Sequence, residues 1–339
     1  MCTARSTVAI SAFALLALNC GALGAPARGD RDLPSTVLGG YAAVALQSSP
    51  TGSALLLSAD DGSLDEPTSL LEPDGRRALY ATHTTNAGAV RIARAIERQP
   101  RYLRFEPIQT VLEAALPWEQ GAVRSPSVLR DGSTVWLFYA AGGAIGAARS
   151  SDGITFNRES EPVLRADSAH GEGAAIGAPS VAAHPSGGFV MAYASGGSLF
   201  LARAQRLPGP WVRVGMGAAI TPSAITDAGL ESLTDPALII ERTSTGRDLV
   251  AIAASSTATG VTTSVVGFAA WDAGEAELSF SRAARTLYGE RTTSVSAGSF
   301  DRVDARTMLL WVSRNDRTRS IIGALVTPGG QRASNPFVP

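Results

Sequence analysis

Four segments of this chain read x-Pro-[Ser/Thr/Ala]-x-apolar, each followed by a turn and an apolar run: Glu66-Pro67-Thr68, Ser125-Pro126-Ser127, Ala178-Pro179-Ser180 and Asp235-Pro236-Ala237. Their prolines stand 59, 53 and 57 residues apart, and a further step of 57 lands on Thr293, in Thr292-Thr293-Ser294-Val295, a fifth copy without its proline. Self-similarity at this spacing marks a repeat architecture, in which no single unit can bury its own apolar face. The chain between the copies is short apolar runs separated by Gly, Asp, Ser and Pro, with no convincing amphipathic helix, so the units are β. A period near 56 fits one four-stranded antiparallel blade with its connections. The fold class predicted is all-β, a five-bladed β-propeller over residues 36–339.

The second repeat shows the strand order most plainly. Ser127–Leu129 begins an inner strand, Arg130-Asp131-Gly132-Ser133 turns, and Val135–Tyr139 is a second strand. Ala141-Gly142-Gly143 turns again, Ile145–Arg149 is a third strand, and Ser151-Asp152-Gly153 makes a hairpin turn before an outer edge at Thr155-Phe156 and Pro162–Leu164. Asp-Gly supplies the positive φ that tight hairpins need. Second strands in the other repeats are also apolar throughout rather than alternating, as expected of strands covered on both faces by neighbouring blades. The segment Tyr41–Leu57 is left over and is predicted to supply an outer or closing strand.

Residues 1–24 read as an export signal, with Arg5 ahead of an apolar run from Val8 to Leu18 that is too short for a mature spanning helix. Two endings fit. Ala17-Leu18-Asn19-Cys20 resembles a lipobox, making Cys20 the lipidated residue, and Ala22-Leu23-Gly24 offers ordinary cleavage. Residues 25–35 form a tether. Cys2 and Cys20 are the only cysteines, so the mature region has no disulfide, thiol nucleophile or cysteine-bound metal, and no cofactor or metal is expected. All 29 basic residues of the Lys/Arg class are arginine, which removes lysine chemistry, and they are scattered at a net charge of −1. That distribution points away from nucleic acid and from a polybasic membrane surface. A monomer touching the membrane only through a lipid anchor is expected.

In a propeller the inner strands surround an axis, so the residues before the repeated prolines should converge on one funnel: Glu66, Ser125, Ala178, Asp235 and Thr292. Asp65, Glu172 and Glu231 flank them, and His170 lies on the approach to blade three. The tryptophans Trp136, Trp211, Trp271 and Trp311 occur about once per blade and read as packing.

The run from Ser125 to Leu164, with Trp-Leu-Phe-Tyr and Ser-Ser-Asp-Gly-Ile-Thr-Phe, resembles the five-bladed glycosidases of the arabinanase and β-xylosidase type, glycoside hydrolase family 43 and its relatives. The resemblance implies a carbohydrate ligand and three axial acids. A base would stand before the blade-one proline, where this chain has Glu66 with Asp65 beside it. A pKa-tuning aspartate would precede the blade-three proline, where Ala178 stands. A general acid would open the blade-four motif, where Thr234-Asp235-Pro236 is found. The catalytic candidates are therefore Glu66, Asp235 and Glu172, and the substrate-binding candidates are Asp65, Ser125, Ala178, Glu231, His170 and Thr292. A hydrolase, a binding protein that has lost turnover, and a non-catalytic envelope-tethered scaffold all remain open from sequence.

Overall fold

The computed structural model describes residues 41–45, 55–224, 230–242, 246–258, 264–272, 280, 285–288, 294–302, 308–315 and 319–328. The expectations for residues 1–35, including Cys20, and for Thr292 lie outside these residues.

Five antiparallel sheets follow one another along the chain. Blade I is built from Gly62–Leu71, Arg77–Thr85, Val90–Ile96 and Gln109–Leu112. Blade II contains Arg124–Asp131, Thr134–Ala141 and Ala144–Ser150, with two short outer strands, Asn157–Arg158 and Leu164–Arg165, sharing one edge. Blade III runs through Gly177–Ala183, Phe189–Ser195, Ser198–Ala204 and Val212–Arg213. Blade IV comprises Leu230–Arg242, Asp248–Ala258, Ser264–Asp272 and Arg285–Tyr288. Blade V takes Ser294–Arg302, Met308–Asn315 and Arg319–Pro328 from the end of the chain. Its outer strand is Tyr41–Ala45, antiparallel to Arg319–Pro328, and Leu55–Leu57 pairs with the same strand. The leftover segment thus ties the start of the propeller to its end.

Packing explains the unbroken apolar second strands. Successive side chains of a strand point to opposite faces. Leu79 and Ala81 pack toward blade V with Leu309, Trp311 and Ile321, whereas Ala78 and Tyr80 pack toward blade II with Val128, Leu137 and Tyr139. Blades II and III share Phe138, Met191 and Trp211. Blades III and IV share Ala192, Leu233 and Ile252, and blades IV and V share Ala251, Val295 and Leu310. Each of the five clusters joins a different pair of neighbours, so the ring closes on itself. Both faces of every second strand are covered, so a polar residue there must find its partner within the protein.

The repeated motif has its own physical account. In blades I to IV the register breaks at the x-Pro pair: between Asp65 and Thr68, Arg124 and Ser127, Gly177 and Ser180, and Thr234 and Ala237. Proline has no N–H to give a ladder, so a bulge is where an inner strand accepts it. The residue before each proline is left-handed, with φ of 52° at Glu66, 50° at Ser125, 48° at Ala178 and 47° at Asp235. Left-handed backbone outside glycine costs on the order of 1–3 kcal/mol. The chain accepts that strain four times, at acid and non-acid residues alike, so it belongs to the bulge geometry.

The hydroxyl after the proline bridges blades. The Val128 N–H donates to Thr68 Oγ1 (3.4 Å), the Val181 N–H to Ser127 Oγ (2.9 Å) and the Leu238 N–H to Ser180 Oγ (2.9 Å). At the seam the Ser69 N–H donates to Ser299 Oγ (3.1 Å). This last bond identifies the fifth copy as Ala297-Gly298-Ser299, and corrects the expectation at Thr292-Thr293. Blade IV causes the offset, because its inner strand has 13 residues and its second strand 11, longer than those of the preceding blades. Gly298 replaces proline where a Cβ would meet Pro67 O at 2.4 Å, so the seam admits no side chain there.

Candidate axial site

The five bulges aim one short segment each at the axis. Glu66, Ser125-Pro126, Ala178-Pro179, Asp235-Pro236 and Ala297-Gly298 line a single cavity of about 20 Å³. That is room for about one water molecule. The structure therefore brings together four of the predicted residues, Glu66, Ser125, Ala178 and Asp235, from four different blades. Ala297 fills the fifth place expected for Thr292.

Each acid is held by hydroxyls. Thr82 Oγ1 donates to Glu66 Oε2 at 2.5 Å, and the Ser125 N–H donates to the same oxygen at 2.9 Å. Asp235 Oδ2 accepts from Thr234 Oγ1 at 3.0 Å, and the Ser255 hydroxyl lies near enough to favour the ionised form. Neither acid is paired with an arginine among the described residues. Both side chains retain a little exposure to the funnel but are otherwise ringed by protein. Burial pushes the Glu66 carboxyl upward, and the charge of Asp65 adds to it against the opposing hydrogen bonds from Thr82 and Ser125. Burial likewise lifts Asp235, with the charges of Glu66 and Asp65 reinforcing it, to about 7. Because the charge of Glu66 raises Asp235, the two carboxyls lose their protons as a pair, in two steps.

The flanking candidates divide. Asp65 stays beside the site, accepting the Glu66 N–H at 3.0 Å. Glu231 is exposed at the start of the blade IV inner strand. His170 sits in a short 3₁₀ turn, with Nδ1 3.0 Å from Asp167 Oδ2.

Glu172 does not line the axial cavity. It is buried in the connection between blades II and III, where Tyr193 OH donates to Oε1 (2.6 Å), Arg213 reaches both oxygens (2.7 and 2.9 Å) and the Asp167 N–H donates to Oε2 (2.7 Å). Burial alone would raise this carboxyl, but the hydrogen bonds from Arg213, Tyr193 and Asp167 outweigh it and hold the pKa below the usual range. The expectation of a catalytic Glu172 is corrected accordingly, since a carboxylate held by an arginine fork and a tyrosine is already committed.

The same arrangement occurs one blade earlier. Tyr139 OH donates to Glu119 Oε1 at 2.8 Å, the Ala115 and Leu116 N–H groups donate to Oε2 at 2.6 and 2.9 Å, and Arg158 approaches Oε2 at 3.3 Å. Both glutamates lie seven residues before a repeated proline, which is the sequence signal for this module. Sequence reasoning also missed Thr82, Ser255 and Ala297. Nothing in the sequence singled out Thr82 and Ser255, since Ser195 and Ser313 interrupt the second strands of blades III and V as well. Among the described residues no three His, Cys, Asp or Glu side chains gather as a metal site.

No family model and no curated protein matches this sequence. Solved structures do. An endo-arabinase from Bacteroides thetaiotaomicron superposes with a TM-score of 0.57 at 11% identity, covering 81% of this chain and 97% of that one. The catalytic domain of a GH62 α-L-arabinofuranosidase from Coprinopsis cinerea gives 0.57 at 11%, covering 87% and 98%. A GH43_1 enzyme from Xanthomonas citri complexed with xylotriose gives 0.54 at 15%, covering 83% and 95%. The fold is that of the five-bladed GH43 and GH62 glycosidases. At such identities the likeness is one of backbone, and chemistry must be argued from the axial residues themselves.

Proposed function

We propose that this chain binds a carbohydrate at the mouth of its axial funnel and hydrolyses a glycosidic bond there, with Glu66 as base and Asp235 as acid. The observation that carries this reading is the pair itself: two carboxyls with no arginine partner among the described residues line a cavity that admits about one water. Inverting hydrolysis needs one ionised and one protonated carboxyl on either side of a water, separated by roughly 6.5–9.5 Å. Ionised Glu66, favoured by two donors on Oε2, takes a proton from the attacking water as its oxygen adds to the anomeric carbon. Asp235, lifted to about 7, gives its proton to the departing sugar oxygen as the glycosidic bond breaks. The solved relatives named with xylotriose support a saccharide as the ligand class.

Purified protein is to be screened on glycan arrays and chromogenic glycosides together, beside Glu66→Gln and Asp235→Asn. Turnover should fall by roughly 10²–10⁴-fold in each variant and decline above about pH 7 in the wild type as the acid deprotonates. Unchanged turnover in both variants removes the pair from the chemistry. A second reading, binding without turnover, is favoured by Ala178, which leaves blade III without the carboxylate that the resemblance implies. Array binding by an inert wild-type protein supports that reading.

Export and a lipid anchor on Cys20 complete the proposal, on the strength of the charge, apolar run and lipobox-like residues of positions 1–24. The mass of the mature N-terminus distinguishes lipidation from simple cleavage.

A further inference from the structure

We propose that Thr82 and Ser255 are positioning residues, second-strand hydroxyls clamped by the backbone of the next blade so that each directs its hydrogen toward its own blade's axial acid. The role given to that donation rests on the hydrolytic reading above; the clamp itself does not.

The clamp follows from who donates to whom. The Ser125 N–H donates to Thr82 Oγ1 at 2.8 Å, and the Ala297 N–H donates to Ser255 Oγ at 2.9 Å. A hydroxyl has one hydrogen and must direct it elsewhere once its oxygen accepts a fixed N–H. In Thr82 that hydrogen goes to Glu66 Oε2. Ser255 lies close enough to Asp235 for its hydroxyl to favour the ionised acid. Both hydroxyl residues are buried, so water does not compete for these bonds.

The two hydroxyls hold the same place in their blades. Thr82 pairs with Asp65 and Ser255 with Thr234, in each case the residue before the axial acid. The corresponding partners in blades II and III are Ala140, opposite Arg124, and Ala194, opposite Gly177. Those blades carry Ser125 and Ala178 at the axis. Hydroxyl and acid therefore occur together in blades I and IV and are both missing from blades II and III. Blade V has Ser313 at this place, which accepts the Glu66 N–H at 2.9 Å, and Ala297 at its axis. There the hydroxyl serves the ring seam only.

Glu66 Oε2 receives both a hydroxyl and an N–H, which favour the ionised carboxylate. Asp65 acts by charge on both acids, and Glu66 acts on Asp235 as well.

The test is the titration of the protonated-carboxyl infrared band of the full-length protein in wild type, Thr82→Val, Thr82→Ser and Ser255→Ala. Losing a hydrogen bond to a charged group should move the midpoint up by about one pH unit in Thr82→Val and in Ser255→Ala. Thr82→Ser should titrate as the wild type. A folded Thr82→Val with the wild-type midpoint overturns the proposal, as does a Thr82→Ser that behaves like the valine variant. If Thr82→Val does not fold, Ser255→Ala decides by the same criterion. No substrate is involved, so an inert wild type would end the hydrolytic reading without touching the clamp, and an unshifted midpoint would end the clamp without touching turnover.

Discussion

Glu66 and Asp235 carry a conflict that the rest of the axis does not resolve: two groups that prefer to be ionised in water share a cavity in which burial, and for Asp235 the charge of Glu66, resists ionisation. The sign of the effect on stability follows directly. The folded protein keeps a proton on Asp235 up to about pH 7, whereas the unfolded chain releases it near the ordinary aspartate value. The folded state therefore binds the extra proton between about pH 4 and 7, and stability falls as pH rises through that window. Asp235→Asn removes the charge. It should flatten this slope and raise stability at pH 8 by on the order of 3 kcal/mol, read from denaturant midpoints at several pH values. An unchanged pH slope would show that the carboxyl is not held near neutrality. At this scale the acids were legible in advance because they sit inside a repeated motif, next to proline. Thr82 and Ser255 were not, since hydroxyls in a strand acquire a direction only when the N–H of the next blade arrives from far along the chain.

Glutamate, tyrosine and arginine from a connection, a second strand and an outer strand form one unit in each of blades II and III. Glu119 joins Tyr139 and Arg158, and Glu172 joins Tyr193 and Arg213. The unit pins the connection that enters each inner strand, and so fixes the height at which Ser125 and Ala178 meet the axis. Both glutamate side chains are fully buried, and taking the charge from a buried pair leaves its arginine uncompensated. Glu119→Gln and Glu172→Gln should each lower stability by about 3 kcal/mol, by similar amounts, as measured by chemical unfolding. A neutral effect at either position would break the equivalence of the two copies. Glu172 was open to a site reading because spacing tells how far a residue lies from a motif but not which way a loop folds. The strands suffered no such ambiguity, since an apolar run between Gly and Asp turns has one local solution.

Closure is the property of the molecule as a whole. Blade V draws its outer strand from Tyr41–Ala45 and another short strand from Leu55–Leu57, and Leu57 joins the core shared with blade I. The seam also holds a polar clasp: Asp301 accepts from Arg77 Nε (3.1 Å), Trp311 Nε1 (2.9 Å) and Ser69 Oγ (2.6 Å). Deleting residues 41–57 would bare the edge of Arg319–Pro328 and remove Leu57, worth about 1.5–3 kcal/mol by burial alone. The truncated protein should melt at a lower temperature and scatter light at concentrations where the intact chain is clear; a melting curve identical to the full chain would refute a closing role.

The sequence by itself determined the number of blades, the strand order within them and the set of residues before the repeated prolines, because turn chemistry, apolar runs and a recurring bulge are local and repeat at short range. Only the tertiary structure decided that Ala297-Gly298 completes the axis, that Glu172 is tied away from it, and that two hydroxyls point at two acids. Those facts depend on contacts between neighbouring blades, and such contacts exist only once the ring is closed.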